Sequence, residues 1–234
     1  MKLLTAHRLA VVATALILGI AAIVAVAEDA APAKPFNAKD LTGWKCRGDA
    51  AKSQWVVGAA KLDPDNPTKL AVEEGGNELI NKSRGVDLYS EQKFGDCLLT
   101  IEVMVPKGSN SGIYLMGNYE IQVLDSFGKD NNAGPGDMGG IYGAAAPKNP
   151  KYKAPGEWQK FEIHFVAPKF EDGKKVANAR FVKMVLNGVT IHENVEVKGV
   201  TGGAMSAEAA TGPLMFQGDH GPVAFRNIEI RPLK

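Results

Sequence analysis

Apolar side chains at every second position, in short runs broken by Gly, Asn and Pro, constrain this chain more than any other feature. The runs fall at 54–58, 69–72, 78–82, 86–90, 97–105, 112–116, 119–125, 158–168, 179–188, 189–193, 213–217 and 223–230. Such alternation makes strands with one buried face, and no helical period competes with it. Asn187-Gly188, between ARFVKMVL and VTIHE, is a two-residue hairpin turn of the kind that accepts positive φ. The pattern predicts an all-β fold of two packed antiparallel sheets, a jelly-roll-like sandwich, with a barrel as the alternative.

Residues 1–27 place Lys2 and Arg8 ahead of an apolar run that ends Ala25-Val26-Ala27. This is the pattern of a secretory signal peptide cleaved before Glu28, an uncleaved anchor being the alternative. The expected mature chain of 207 residues is exported, to the periplasm or beyond the cell, without stable membrane insertion. An Ala/Pro-rich leader over 28–35 is expected to be loosely attached, and 36–234 to form one domain, since no repeat or linker divides it. Without the leader peptide, 25 basic residues face 26 acidic ones, which argues against a nucleic-acid partner. Cys46 and Cys97 either form one disulfide or stand as separate thiols.

Candidate chemistry centres on SNSGIYLMGNYEIQVLDSFG, 109–128. Glu120 and Gln122 share one strand face, opposite Ile121 and Val123, so that face is either solvated or a site. Asn110 stands at the end of the preceding strand as a polar handle for a carbohydrate or an ordinary turn residue. Asp125 either caps a turn or holds a sugar hydroxyl. The segment from Ser126 to Glu157 is too long for a simple connection, and Tyr142 in GGIYG suits packing over the sheet or facing a sugar. Tyr142 or Tyr152 could stack on a ring. His220, beside Asp219 in QGDHG, can transfer protons, whereas His164 and His192 lie in strands. Arg226 and Asn227 point to opposite faces unless a bulge intervenes, and Arg226 could clamp a polyhydroxylated ligand or form a salt bridge. DNNAGPGD, 130–137, could offer oxygens to a divalent cation such as calcium, without the spacing of an EF-hand loop. No HExxH, GxSxG or phosphate-loop pattern occurs.

FNAKDLTGW (36–44), SNSGIYLMGNYEIQVLDS (109–126), GGIYG (139–143), PGEWQKFEIHFVAPKF (155–170), LNGVTIHEN (186–194) and TGPLMFQGDHGPVAFRNIEI (211–230) together resemble the 3-keto-disaccharide hydrolase domain family. The resemblance implies a concanavalin-like jelly roll that binds carbohydrate on its concave sheet and acts on glycosides oxidised at C3. It makes Glu120 and Gln122 similar to the family's polar pair, with Asp125, Tyr142, His220 and Arg226 in its recurrent motifs. The chain departs in having Ala38 where glycine is common, and in an alanine-rich rim after GGIYG. On this basis a 3-keto-glycoside or oligosaccharide is the expected ligand. Glu120 is then the expected base and His220 the acid, with Arg226 or a divalent ion against the developing oxyanion. A non-catalytic carbohydrate-binding module is the alternative, and a surface scaffold module a third.

Overall fold

The structure is a computed structural model that describes residues 31–233; the expected signal peptide and its cleavage point lie outside the described residues. Among these the strands are, in chain order, β1 (Trp44–Arg47), β2 (Trp55–Leu62), β3 (Leu70–Asn81), β4 (Asp87–Phe94), β5 (Cys97–Met104), β6 (Asn110–Leu115) and β7 (Tyr119–Leu124). They continue with β8 (Gln159–Val166), β9 (Lys169–Glu171), β10 (Lys174–Ala177), β11 (Ala179–Leu186), β12 (Val189–Val197), β13 (Gly212–Phe216) and β14 (Val223–Pro232). All paired strands run antiparallel, in one five-stranded sheet ordered β1-β4-β13-β6-β7, one seven-stranded sheet ordered β12-β11-β8-β5-β14-β3-β2 and a separate two-stranded ribbon of β9 and β10. This is the two-sheet sandwich that the alternation predicts, in the concanavalin-like jelly-roll form that the family resemblance implies.

Side-chain parity builds the core. Cys97, Leu99, Ile101 and Val103 of β5 and Phe161, Ile163 and Phe165 of β8 point inward, in register as Ile101 opposite Phe161 and Leu99 opposite Ile163. Facing them across the sandwich are Ile113, Tyr119, Ile121, Val123 and Phe216 of the smaller sheet. Aromatic rings join the layers where Phe216 stacks on Phe225 with centroids 4.0 Å apart, and within the smaller sheet Trp44 stacks on Phe216 at 5.3 Å. Offset stacks of this kind add to the area they bury.

Asn187 and Gly188 take φ of 51° and 82°, as the hairpin reading requires. The runs 69–72 and 78–82 are one strand, β3, with its break in alternation at Gly75-Gly76, where the pairing with β2 shifts register between Gly58 and Ala59. A Cβ on Gly76 would come within 2.0 Å of the Ala59 nitrogen, so the bulge needs glycine. Ala38 sits at φ 61°, a left-handed conformation that glycine adopts more readily, which gives its departure from the family pattern a physical cost.

The described part of the leader is not loose. Ala33 exchanges two backbone hydrogen bonds with Ile230 of β14, at 2.7 and 2.8 Å, and the Pro35 carbonyl accepts the Trp44 indole N–H at 2.9 Å. Cys46 and Cys97 are separate thiols, on β1 of one sheet and β5 of the other, and burial pushes the Cys97 thiol up to about 12.

Candidate active site

The outer face of the five-stranded sheet is where the site forms. In the β6–β7 hairpin Gly112 pairs with Gln122 and Tyr114 with Glu120, so Asn110, Gly112, Tyr114, Glu120 and Gln122 share that face. The lack of a side chain at Gly112 is a requirement: a Cβ there would lie 2.5 Å from Glu120 Oε1 and 2.9 Å from Tyr114 Cε2. The Glu120 side chain therefore lies across Gly112. Gln122 donates from Nε2 to Asn110 Oδ1 at 2.8 Å, which orients both amides.

Strand β7 is the edge of its sheet, and two connections cover that edge. The 126–157 segment runs beside it: Gln122 N donates to the Gly140 carbonyl at 2.9 Å, Gly139 N to Gln122 O at 2.8 Å, and Tyr142 N to Glu120 O at 3.1 Å. Far from a loose excursion, this segment lays Tyr142, 44% exposed, beside Glu120 at the rim of the cleft. From the other direction comes a strap, residues 198–211, that joins β12 to β13. Thr201 Oγ1 accepts the Glu120 N–H at 2.9 Å and donates to the Asn118 carbonyl at 3.1 Å. Arg47 of β1 donates to the carbonyls of Gly203 at 2.7 Å and Ala204 at 3.0 Å, and pairs with Asp87 at 3.4 Å.

His220 arrives on the connection from β13 to β14, which is held at both ends. Buried Asn81 donates from Nδ2 to the carbonyls of Gly218 and Gly221, both at 2.9 Å, and Ser109 donates to Pro222 O at 2.6 Å. The Gly218 N–H is received by Asp87 Oδ1 at 3.0 Å. His220 Nδ1 lies 2.5 Å from Asp219 Oδ1, so that with Nδ1 donating, Nε2 remains for chemistry in the cleft.

The result is a cleft of about 460 Å³ lined by polar groups, among them Asp87, Asn110, Glu120, Gln122, Tyr142 and His220. Its floor is Glu120, only 3% exposed. Burial pushes this carboxyl up to about 7; the Tyr114 hydroxyl and the charge of His220 pull it down, and Asp87 and Asp219 push it further up. Burial likewise raises Asp87 against the pull of the Gly218 amide and Arg47. The Tyr114 hydroxyl has one proton for two acceptors, the Glu120 carboxyl and the Gly202 carbonyl, and the hydrogen bond to Gly202 is 3.1 Å.

Of the residues singled out in the sequence, Asn110, Glu120, Gln122, Tyr142 and His220 line this cleft. Asp125 does not: it ends β7 as a cap, accepting from Gly108 N at 2.9 Å and Phe127 N at 3.3 Å. Arg226 is on the other sheet. Because Phe225 points into the core, Arg226 points out from β14, where its guanidinium lies 4.1 Å from the Trp158 ring centroid and pairs with Glu102 at 2.7 Å. A register shift between Arg226 and Glu229, with Asn227 at φ 51°, lets Asn227 reach the same carboxylate at 2.9 Å. The bulge that could unite this pair exists, but it serves an ion pair on the far side of the sandwich. Tyr152 is buried, its hydroxyl on the Met138 carbonyl at 3.0 Å, and offers no stacking platform. Asp137 is taken up by Lys129 at 2.7 Å, Ser126 at 3.1 Å and the Gly134 N–H at 2.8 Å. Among the described residues no group of three or more His, Cys, Asp or Glu side chains gathers to hold a metal ion.

Tyr114, Asp87, Gln217, Arg47 and the strap complete the cleft without having been singled out. Parity could have found three of them, since Ile113, Leu88 and Phe216 face inward and their neighbours Tyr114, Asp87 and Gln217 must face the site. Nothing local marks Arg47 or the strap.

A family model for the 3-keto-alpha-glucoside-1,2-lyase-like domain matches residues 32–231. The chain belongs to that family. A crystal structure from Parabacteroides distasonis, of a protein provisionally named a glycosyl hydrolase, is 29% identical with a TM-score of 0.66, covering 86% of this chain and 84% of its own. A second such protein from the same organism is 18% identical at a TM-score of 0.56, covering 85% and 92%, and shows the fold alone. The carbohydrate-binding module CBM66 of Bacillus subtilis is 12% identical at a TM-score of 0.45, covering 81% and 95%, too distant to bear on activity. Comparison with curated proteins finds no match. This member of the 3-keto-alpha-glucoside-1,2-lyase-like family thus has a carbohydrate-active, glycosyl-hydrolase-like fold, and its cleft lies on the outer face of the smaller sheet.

Proposed function

We propose that this protein, exported to the periplasm or beyond the cell, cleaves the glycosidic bond of 3-keto-glycosides by removing the proton on C2. The observation that carries the reading is the meeting, in one polar cleft, of a buried Glu120 carboxyl with the Asp219–His220 pair. A ketone at C3 acidifies the C2 proton because the resulting carbanion is an enolate. Glu120, with its carboxyl raised into the neutral range, is matched to that proton transfer. The electron pair left on C2 forms the C2–C3 double bond and places negative charge on the C3 oxygen. As that enolate collapses, the C1–oxygen bond breaks and His220, protonated on both ring nitrogens, gives its Nε2 proton to the departing oxygen and keeps the Nδ1 proton on Asp219. Water then adds across the unsaturated product, so that the net reaction is hydrolysis. The enolate oxygen needs a donor. Gln217 suits this role because its side-chain amide holds a long 3.4 Å bond to Tyr114 and is free to turn.

The remaining carboxylates favour this route over a two-carboxylate glycosidase. Such an enzyme needs a second carboxyl free to act across the bond, about 5 to 9.5 Å away. Asp87 is tied to Arg47 and the Gly218 amide, and Asp219 to His220.

The test is product analysis by mass spectrometry after incubating the protein with a 3-keto-disaccharide and with its unoxidised parent, in D2O, with and without a chelator. Cleavage of the keto form alone, with deuterium appearing at C2 and both lost in Glu120→Gln, is the expected result. Chelator sensitivity would add a divalent cation to the site. Binding of both sugars without cleavage or exchange would make the cleft a carbohydrate-binding platform, with Tyr142 as its stacking surface.

A further inference from the structure

His220 is shared between two concavities. Behind it, away from Glu120, lies a second cleft of about 470 Å³, lined by Lys69, Lys82, Arg84 and Lys107 and by no carboxylate. The first cleft carries three acids, Asp87, Glu120 and Asp219, with Arg47 its only lysine or arginine. In a chain with 27 basic and 26 acidic residues, this division of charge across one histidine is not a consequence of composition. Among the described residues, none of the four cations in the second cleft has a carboxylate within salt-bridge distance, whereas eleven other lysines and arginines do. Of the acids near this region, Asp125 is turned onto the Gly108 amide at 2.9 Å and Asp219 onto His220 Nδ1 at 2.5 Å. Arg84 also donates from Nε to the His220 carbonyl at 3.3 Å, so the cationic wall and the histidine loop are one unit.

We infer that the cleft behind His220 is the subsite for the leaving unit of the substrate, and that this unit is an acidic saccharide bearing a carboxylate or a sulfate. The inference rests on the reading above, in which His220 protonates the departing oxygen. An acid that hands its proton to the leaving group stands between the cleaved sugar and the group that leaves. With the keto sugar over Glu120, the departing unit extends past His220 into the cationic cleft. Three ammonium groups and a guanidinium around one concavity stabilise an anion there and attract it from solution, an effect that salt weakens.

Binding to the full-length Glu120→Gln protein tests this with three 3-keto-disaccharides whose leaving units are glucose, glucuronate and glucose 6-sulfate, measured by calorimetry. At least one acidic compound should bind about tenfold more tightly than the neutral one. That preference should vanish in a Lys69→Ser/Lys82→Ser/Lys107→Ser background and fade as ionic strength rises from about 0.01 M to about 1 M. Glucuronate and sulfate arms separate the two anions. Equal affinity for all three compounds, or a preference that survives loss of the lysines, would overturn the subsite. Turnover by the unmodified protein separates the two readings. Cleavage of the neutral keto-disaccharide without any charge preference would retain the chemistry and reject the subsite. A lysine-dependent preference without cleavage of any keto compound would retain the anion site and reject the role of His220.

Discussion

Glu120 is useful because it is uncomfortable. Its carboxyl, raised by burial from 4.5 to about 7, favours folding fully below about pH 4.5, and that contribution is lost as pH rises through 7. Glu120→Gln should therefore melt above the unmodified protein at pH 8, by up to roughly 3 kcal/mol, and converge with it near pH 4. The acid limb of the pH–rate profile of the unmodified protein should rise with the ionisation of the base near 7, and the falling limb should report the loss of the acid's proton. Thermal melts across pH, paired with a pH–rate profile, read both effects. Gly112 poses a complementary question about placement. The atom that an added Cβ would strike first is the free end of the Glu120 side chain, which can swing aside. Gly112→Ala should thus lower kcat/KM at least about tenfold while shifting stability by only about 1 kcal/mol, because a displaced base loses its alignment before the strand loses its fold.

At the scale of elements, the cleft depends on how edge strand β7 is covered. Thr201 from the strap and Gly139–Tyr142 from the 126–157 segment supply the backbone partners that a neighbouring strand would otherwise provide. The second cover is pinned from β12 by His192, which is buried and donates from Nε2 to the Gly139 carbonyl at 2.8 Å. Burial holds this imidazole below its usual 6.5, so its contribution to stability is present above pH 6.5 and is lost as pH falls through the lower folded value. His192→Gln removes the titration while retaining a donor. The difference in melting temperature between this variant and the unmodified protein should change in the variant's favour below about pH 6. A difference constant from pH 5 to pH 8 would show that His192 does not titrate on unfolding. Arg47 has the equivalent task for the strap, joining β1 to the carbonyls of Gly203 and Ala204.

For the whole molecule, the two outer faces of the sandwich have separate work. One carries the cleft and its strap. The other carries a small apolar cluster of Leu70, Ile80, Met104 and Ala224 with Trp158 packed against it, and Arg226 lies over that tryptophan and pairs with Glu102. Replacing Arg226 by Ala should lower stability by about 1–2 kcal/mol, through lost packing and an unpaired Glu102, and leave kcat/KM unchanged. Denaturant unfolding beside a turnover assay checks this. A loss of turnover without a loss of stability would place Arg226 back among the residues that touch substrate.

The sequence by itself determined the antiparallel strands and their buried faces, with a sandwich favoured over a barrel, because alternation and turn chemistry are local: parity alone turns Ile121 and Val123 inward and Glu120 and Gln122 outward, and Asn187-Gly188 alone closes its hairpin. It also marked Asn110, Tyr142 and His220, each beside a glycine, a serine or a strand end where a polar or aromatic side chain has no packing to do. Only the tertiary structure decided which outward faces belong to the same side. Arg226 and Glu120 both point away from the core, but from different sheets, and no local signal records which sheet a strand joins. Of the partners that give Glu120 its character, Tyr114 is its neighbour in the same hairpin, but Asp87, Asp219 and His220 come from β4 and the β13–β14 connection, about 30 to 100 residues away in the chain. Burial and the field of neighbouring charges are properties of that assembly, which is why the raised carboxyl at the floor of the cleft could be named in the sequence but its chemistry could not be derived there.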